Sequence, residues 1–169
     1  VQHDLNRGLE ADYALVAYGG NDRDFDWASI AADPEGDHRP RTELPEFLSK
    51  LKRTVTELAR VGVQPVLMTL PPIDGARYLD YICRGGLSRD SIMRWLGDVG
   101  CIYRHQELYS DTVASFAMRE GLPLIDVRRR FLPQRDLSEL ISADGIHLTM
   151  PGYRQLFDTL AQWVVPQLA

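Results

Sequence analysis

Cysteine is nearly absent: Cys83 and Cys101 are the only two. They match no metal-ligand spacing, and two residues cannot build a multi-bridge framework. Each is expected to be a small buried hydrophobe or a free thiol, which favours a reducing, cytoplasmic setting. Positive charge is also short. Lys plus Arg number 19 against 24 Asp plus Glu, a formal net charge of −5, so no global field draws nucleic acid or an anionic membrane. The one basic run, Arg128-Arg129-Arg130, is followed by Phe131 and Leu132 and reads as a solvated face beside a buried turn. No apolar run approaches the ~18 residues of a membrane-spanning helix, and residues 1–20 lack the pattern of a signal peptide. Serine is missing where it later matters: none occurs in residues 1–18.

What is present suits a globular α/β chain. Hydrophobic residues make up 44% and charged residues 25%, near the average of soluble domains, which excludes disorder, collagen and coiled coil. A chain of 169 residues buries one sizeable core and is too short for two ordinary domains, so residues 1–169 are expected to form one domain.

Hydrophobic periodicity supplies the elements. Val1 to Leu9 reads as a polar helical scrap. Tyr13 to Tyr18 is a short apolar run closed by Gly19-Gly20, the mark of a strand buried on both faces. Residues 21–40, rich in Asp, Gly and Pro, predict a loop with a helical turn near Trp27 to Ile30. Thr42 is the expected N-cap of a helix whose stripe is Leu44, Phe47, Leu48, Leu51, Val55 and Leu58. Gly62 stops it, and Val63 to Leu70 reads as a second buried strand. Ile73 to Gly86 is expected to be irregular. Ser88 caps a short helix through Trp95, broken near Gly97. A longer helix spans Ile102 to Arg119, with Leu108, Val113, Phe116 and Ala117 toward the core. Gly121 ends it, and Pro123 to Asp126 is the third strand. A short helix at Leu137 to Ile141 precedes a final one that begins near Pro151 and carries Tyr153, Leu156, Leu160, Trp163 and Val164 on one side. Strands alternating with amphipathic helices imply a three-layer α/β/α sandwich on a flavodoxin-like parallel sheet. Three strands are few for such a sheet, so further strands are expected ahead of residue 1.

Two short segments concentrate chemistry. Gly19-Gly20-Asn21-Asp22 directly follows the first strand, and Asp144-Gly145-Ile146-His147 directly precedes the last helix. In an open parallel sheet, functional groups collect at the carboxyl ends of the strands. An Asp three residues before a His can accept its Nδ1–H, leaving Nε2 free as a base and stabilising the imidazolium. An Asn on a tight turn after glycine can aim its amide at a developing oxyanion. Taken singly, each segment is also compatible with a surface histidine or a plain Asn-Asp turn.

Together, in this order and setting, they resemble blocks of the SGNH (GDSL-type) serine hydrolases. Gly19-Gly20-Asn21-Asp22 is similar to that family's Gly-x-Asn-Asp block. Ser142 to Tyr153 is similar to its Asp-x-x-His block before the final helix. The resemblance covers essentially the whole chain. It implies hydrolysis of small acyl esters through an acyl-enzyme, with His147 as base, Asp144 orienting it and Asn21 in the oxyanion hole. Gly19 and Gly20 shape the same loop, and no cofactor or metal is implied.

The chain departs from the family at the nucleophile. The Gly-Asp-Ser block and the glycine of the second block belong before Gly19, and nothing there matches them. Arg89-Asp90-Ser91-Ile92 echoes Gly-Asp-Ser-Leu but has Arg in place of Gly and follows no strand. The expectation is that the serine lies upstream of residue 1, in a missing amino-terminal segment. The alternatives are a second chain that completes the sheet, or a non-catalytic binding module on the same scaffold. A metal-dependent hydrolase using Asp144 and His147 ranks last. Leu70-Pro71-Pro72-Ile73 is equally compatible with a substrate pocket or a plain loop. Trp95, Tyr103 and Tyr109 are expected in core or lid packing, Asp22 in a turn or cap, and His3, His38 and His105 on the surface.

Overall fold

A computed structural model describes residues 11–167 of the chain; the expected helical scrap at Val1 to Leu9, with His3, lies outside them. Three parallel strands, β1 (Tyr13–Val16), β2 (Gln64–Met68) and β3 (Leu124–Ile125), form a sheet in the order β1-β2-β3. The helices are α1 (Trp27–Ala32), α2 (Leu44–Arg60), α3 (Gly75–Cys83), α4 (Arg89–Leu96), α5 (Gly100–Glu120), α6 (Arg128–Phe131) and α7 (Met150–Val164).

The layers follow from the pleat, which sends alternate side chains to opposite faces. Leu67 of β2 and Val16 of β1 join Phe47, Leu51 and Leu58 of α2 and Tyr109, Val113 and Phe116 of α5 in one core. Val66 and Met68 of β2, with Ile125, point to the other face, where Leu156, Leu160 and Trp163 of α7 cover them. Burying each such side chain contributes on the order of 1.5–3 kcal/mol, so β2 is the element around which both layers form. The structure is therefore an α/β sandwich on a parallel sheet.

A second cluster lies apart from the sheet. Trp27 and Ile30 of α1, Tyr78 and Leu79 of α3, Ile92 of α4 and Ile102 of α5 pack together with Ile73.

Several sequence expectations are corrected. The segment Ile73 to Gly86 contains a helix, α3, because the Asp74 carboxylate accepts from the amides of Ala76 and Arg77 and caps it. Glu43, rather than Thr42, is the N-cap residue of α2, and it makes no side-chain cap bond. Thr42 is buried instead, and its carbonyl accepts from the Tyr109 hydroxyl at 2.5 Å. Leu108 is 46% exposed, because the inward face of α5 runs through Gln106, Tyr109, Ser110 and Val113. β1 is not buried on both faces. Tyr13 and Leu15 remain 39% and 48% exposed, although the Trp163 ring of α7 meets Tyr13 edge-on at 5.7 Å.

Candidate active site

The Asp144–His147 segment is a tight turn ahead of α7. The Ser142 amide donates to the His147 carbonyl at 2.8 Å, and a bridge between Ile141 and Leu148 closes its base. Gly145 sits at φ +80°, and a Cβ there would stand 2.4 Å from the Tyr78 nitrogen and 2.5 Å from the Asp74 carbonyl oxygen. Only glycine satisfies both conditions.

Within the turn the two carboxylate oxygens divide their work. Asp144 Oδ1 accepts from the Ser142 hydroxyl at 2.6 Å and from the amides of Ile146 and His147, each at 3.0 Å. Oδ2 faces His147 Nδ1 at 2.6 Å. Because a carboxylate only accepts, Nδ1 carries a proton, and in the neutral ring Nε2 is the acceptor nitrogen. Burial alone would raise the Asp144 carboxyl, but the bonds from Ser142, His147 and Ile146 outweigh it and hold the group well below the usual carboxylate range. The His147 side chain is 68% exposed, so its free nitrogen is open to a reactant.

The other segment leaves the carboxyl end of β1. Gly19 has φ +119°, and a Cβ on it would meet Leu70 Cδ1 at 3.1 Å and Phe47 Cζ at 3.4 Å, whereas Gly20 faces open space. The turn closes with Arg23 N–H donating to the Gly19 carbonyl and Asp24 N–H to that of Asn21. Asn21 is exposed, and among the described residues its side chain makes no hydrogen bond. The Asp22 and Asp24 carbonyls accept from the amides of Thr42 and Arg41, so Asp22 serves the turn. The segment after β2 supports it from below. Leu70 and Ile73 are buried, Leu70 N–H donates to the Ser110 hydroxyl, and the Pro71 carbonyl accepts from Gln106.

The structure thus brings Asp144 and His147 into direct contact, while Asn21 stands on a separate turn. A cleft of about 380 Å³ next to that turn is lined by Tyr18, Asp22, Phe47, Lys50, Arg53, Thr54 and Glu57 and does not include His147. Ser91, on α4, belongs to a capped turn in which its amide donates to Ser88, and among the described residues no serine hydroxyl bonds the His147 ring.

Sequence reasoning missed Ser142 as a partner of Asp144, and it missed Asp24 and Tyr78. The Ser-x-Asp spacing carried a signal for the first. Asp24 and Tyr78 lie 54 residues apart, and no local pattern joins them. His105 was expected on the surface. Its ring is half-buried against Phe25 and Tyr109, with Nδ1 3.0 Å from the Arg23 carbonyl, and burial lowers its pKa. His38 is held too, its Nε2 2.6 Å from the Asp33 carbonyl. Tyr109 is fully buried, as core packing requires. Arg128 leaves the solvated face to pair with Glu107 at 2.9 Å, both half-buried, while Arg129 and Arg130 stay exposed.

Residues 1–155 match the GDSL-like Lipase/Acylhydrolase family, and the chain belongs to it. Solved structures agree in fold. The lipase/acylhydrolase from Enterococcus faecalis is 17% identical with a TM-score of 0.61, covering 98% of this chain and 69% of its own. LAE5, an alpha/beta hydrolase from the Lake Arreo metagenome, is 21% identical with a TM-score of 0.62, covering 95% and 63%. Axe2, an acetylxylan esterase from Geobacillus stearothermophilus solved as a catalytic mutant, is 17% identical with a TM-score of 0.60, covering 89% and 58%. The chain therefore spans 58–69% of the length of these three. Comparison with curated proteins gave no match. No described helix is long and apolar enough to cross a membrane.

Proposed function

We propose that this chain carries the acid–base half of a serine esterase acting on small acyl esters. The observation that carries the reading is the 2.6 Å contact between Asp144 Oδ2 and Nδ1 of the exposed His147 ring, in a chain of the GDSL-like acylhydrolase family. In this reading a serine Oγ attacks the ester carbonyl and its proton passes to His147 Nε2. Asp144 stabilises the imidazolium. The Asn21 side-chain amide donates to the oxyanion of the tetrahedral intermediate, on the turn that Gly19 and Gly20 allow. Collapse expels the alcohol, which takes the proton from Nε2. Water then attacks the acyl-enzyme by the same route and releases the acid. No step calls for a metal. The nucleophilic serine comes from a segment outside residues 1–169.

The test is intact-mass spectrometry of the protein purified from its source, after treatment with a fluorophosphonate serine-hydrolase probe. The expected result is one adduct on a species heavier than 19.2 kDa, with labelling slowed on the order of 10²–10⁴-fold by His147→Ala. An unlabelled species of 19.2 kDa overturns the reading in favour of a binding module on this scaffold.

A further inference from the structure

We propose that Tyr78 is a positioning residue that locks the Asn21–Asp24 turn to the Asp144–His147 turn, so that the two turns hold one fixed relation. Its importance for catalysis rests on the acyl-transfer reading above, whereas the coupling itself is a property of the fold.

Tyr78 meets one turn with its side chain and the other with its backbone. The hydroxyl lies 2.9 Å from both oxygens of Asp24 and donates to that carboxylate. Trp27 Nε1 donates to Asp24 Oδ1 at 3.0 Å and faces the Tyr78 oxygen at 3.3 Å. Arg23 is buried next to them, its guanidinium 5.2 Å from the centre of the Tyr78 ring. Asp24 ends the turn on which Asn21 stands, through its amide bond to the Asn21 carbonyl. Burial and the Asp24 charge push the Tyr78 hydroxyl up to about 12, so it remains a donor throughout the neutral range.

On the other side, the Tyr78 backbone nitrogen abuts Gly145 so closely that no side chain fits between them. Asp74, the N-cap of α3 four residues earlier, donates its amide to the Gly145 carbonyl at 2.8 Å. Arg77 Nη1 donates to the Ile141 carbonyl at 2.8 Å and the Ser138 carbonyl at 3.2 Å, holding the lead-in to that turn. One rigid helical turn therefore carries contacts to both segments, and Tyr78 is the residue that touches both. It is only 4% exposed, so a hydrogen bond to a charge there is worth more than it would be in water.

An ordinary core tyrosine and a coupling residue predict different patterns of amide hydrogen exchange in the full chain. Tyr78→Phe keeps the ring and removes the bond to Asp24. Coupling predicts exchange about tenfold faster at residues 19–24 and also at 144–147, with β2 and α5 unchanged, as expected for loss of one charge-assisted bond in a local opening. Asp24→Asn, which keeps the shape of the partner, is expected to give the same two-site pattern and serves if Tyr78→Phe does not fold. Faster exchange confined to 19–24, no change at either turn, or a uniform rise that includes β2 and α5 overturns the proposal. These readouts do not depend on ester hydrolysis. A protein that takes no serine probe yet shows the two-site pattern keeps the coupling and loses only the esterase reading.

Discussion

The Ser142 hydroxyl donates at 2.6 Å to Asp144 Oδ1, the oxygen that the His147 ring does not use. Removing it leaves Oδ1 with two amide donors. Ser142→Ala is therefore expected to move the Asp144 titration upward, toward the ordinary carboxylate value near ~3.9. Carbon-detected NMR titration of the Asp144 carboxyl measures this directly. The native pKa lies below the unfolded one, so Asp144 contributes stability that is fully present above pH ~4 and is lost as pH falls through the native pKa. Asp144→Asn is expected to flatten that acid limb of the stability curve.

Gly145 offers the steepest stability effect. Its φ of +80° and the 2.4 Å clearance to the Tyr78 nitrogen leave an added methyl nowhere to go except by shifting α3. Gly145→Ala is expected to cost about 3 kcal/mol or more, read as a lower urea midpoint. Gly20→Ala, where no atom lies within 4 Å, is expected to cost under about 1 kcal/mol.

His105 makes stability depend on pH nearer neutrality. Burial lowers its pKa and Arg23 lowers it further, although the bond to the Arg23 carbonyl and the charge of Asp24 act the other way. With the native value below the unfolded one, its contribution is complete above pH ~6.5 and is lost as pH falls through the native value. Thermal melts between pH 7 and pH 5 are expected to show a falling Tm, and His105→Gln is expected to reduce that slope.

Thr69 joins the carboxyl ends of β2 and β3. Its hydroxyl donates to Asp126 Oδ1 at 3.0 Å and accepts from the Arg128 amide at 3.1 Å, and the residue is fully buried. Thr69→Val keeps the volume, strands the Arg128 amide and leaves Asp126 Oδ1 with the Arg129 amide alone, so a loss of about 1–3 kcal/mol is expected in urea unfolding. Thr69→Ser is expected to recover most of it.

The α/β alternation and the Asp144–His147 pair were legible in the sequence because both are local. The stripe of α2 repeats every three or four residues, glycines end β1 and α5, and Asp144 reaches His147 across three positions of one turn. Helix α3 was harder, since its aromatic and turn-forming residues hid the Asp74 cap and its buried pair Tyr78 and Leu79. Tertiary structure alone decided the rest. Tyr78 meets Asp24 across 54 residues and His105 meets Arg23 across 82, contacts that exist only after the sheet has ordered its crossovers. It also decided that Leu108 faces solvent and that Leu15 on β1 stays open. Periodicity states which side chains are apolar, but only the packed neighbours determine which of them leave water.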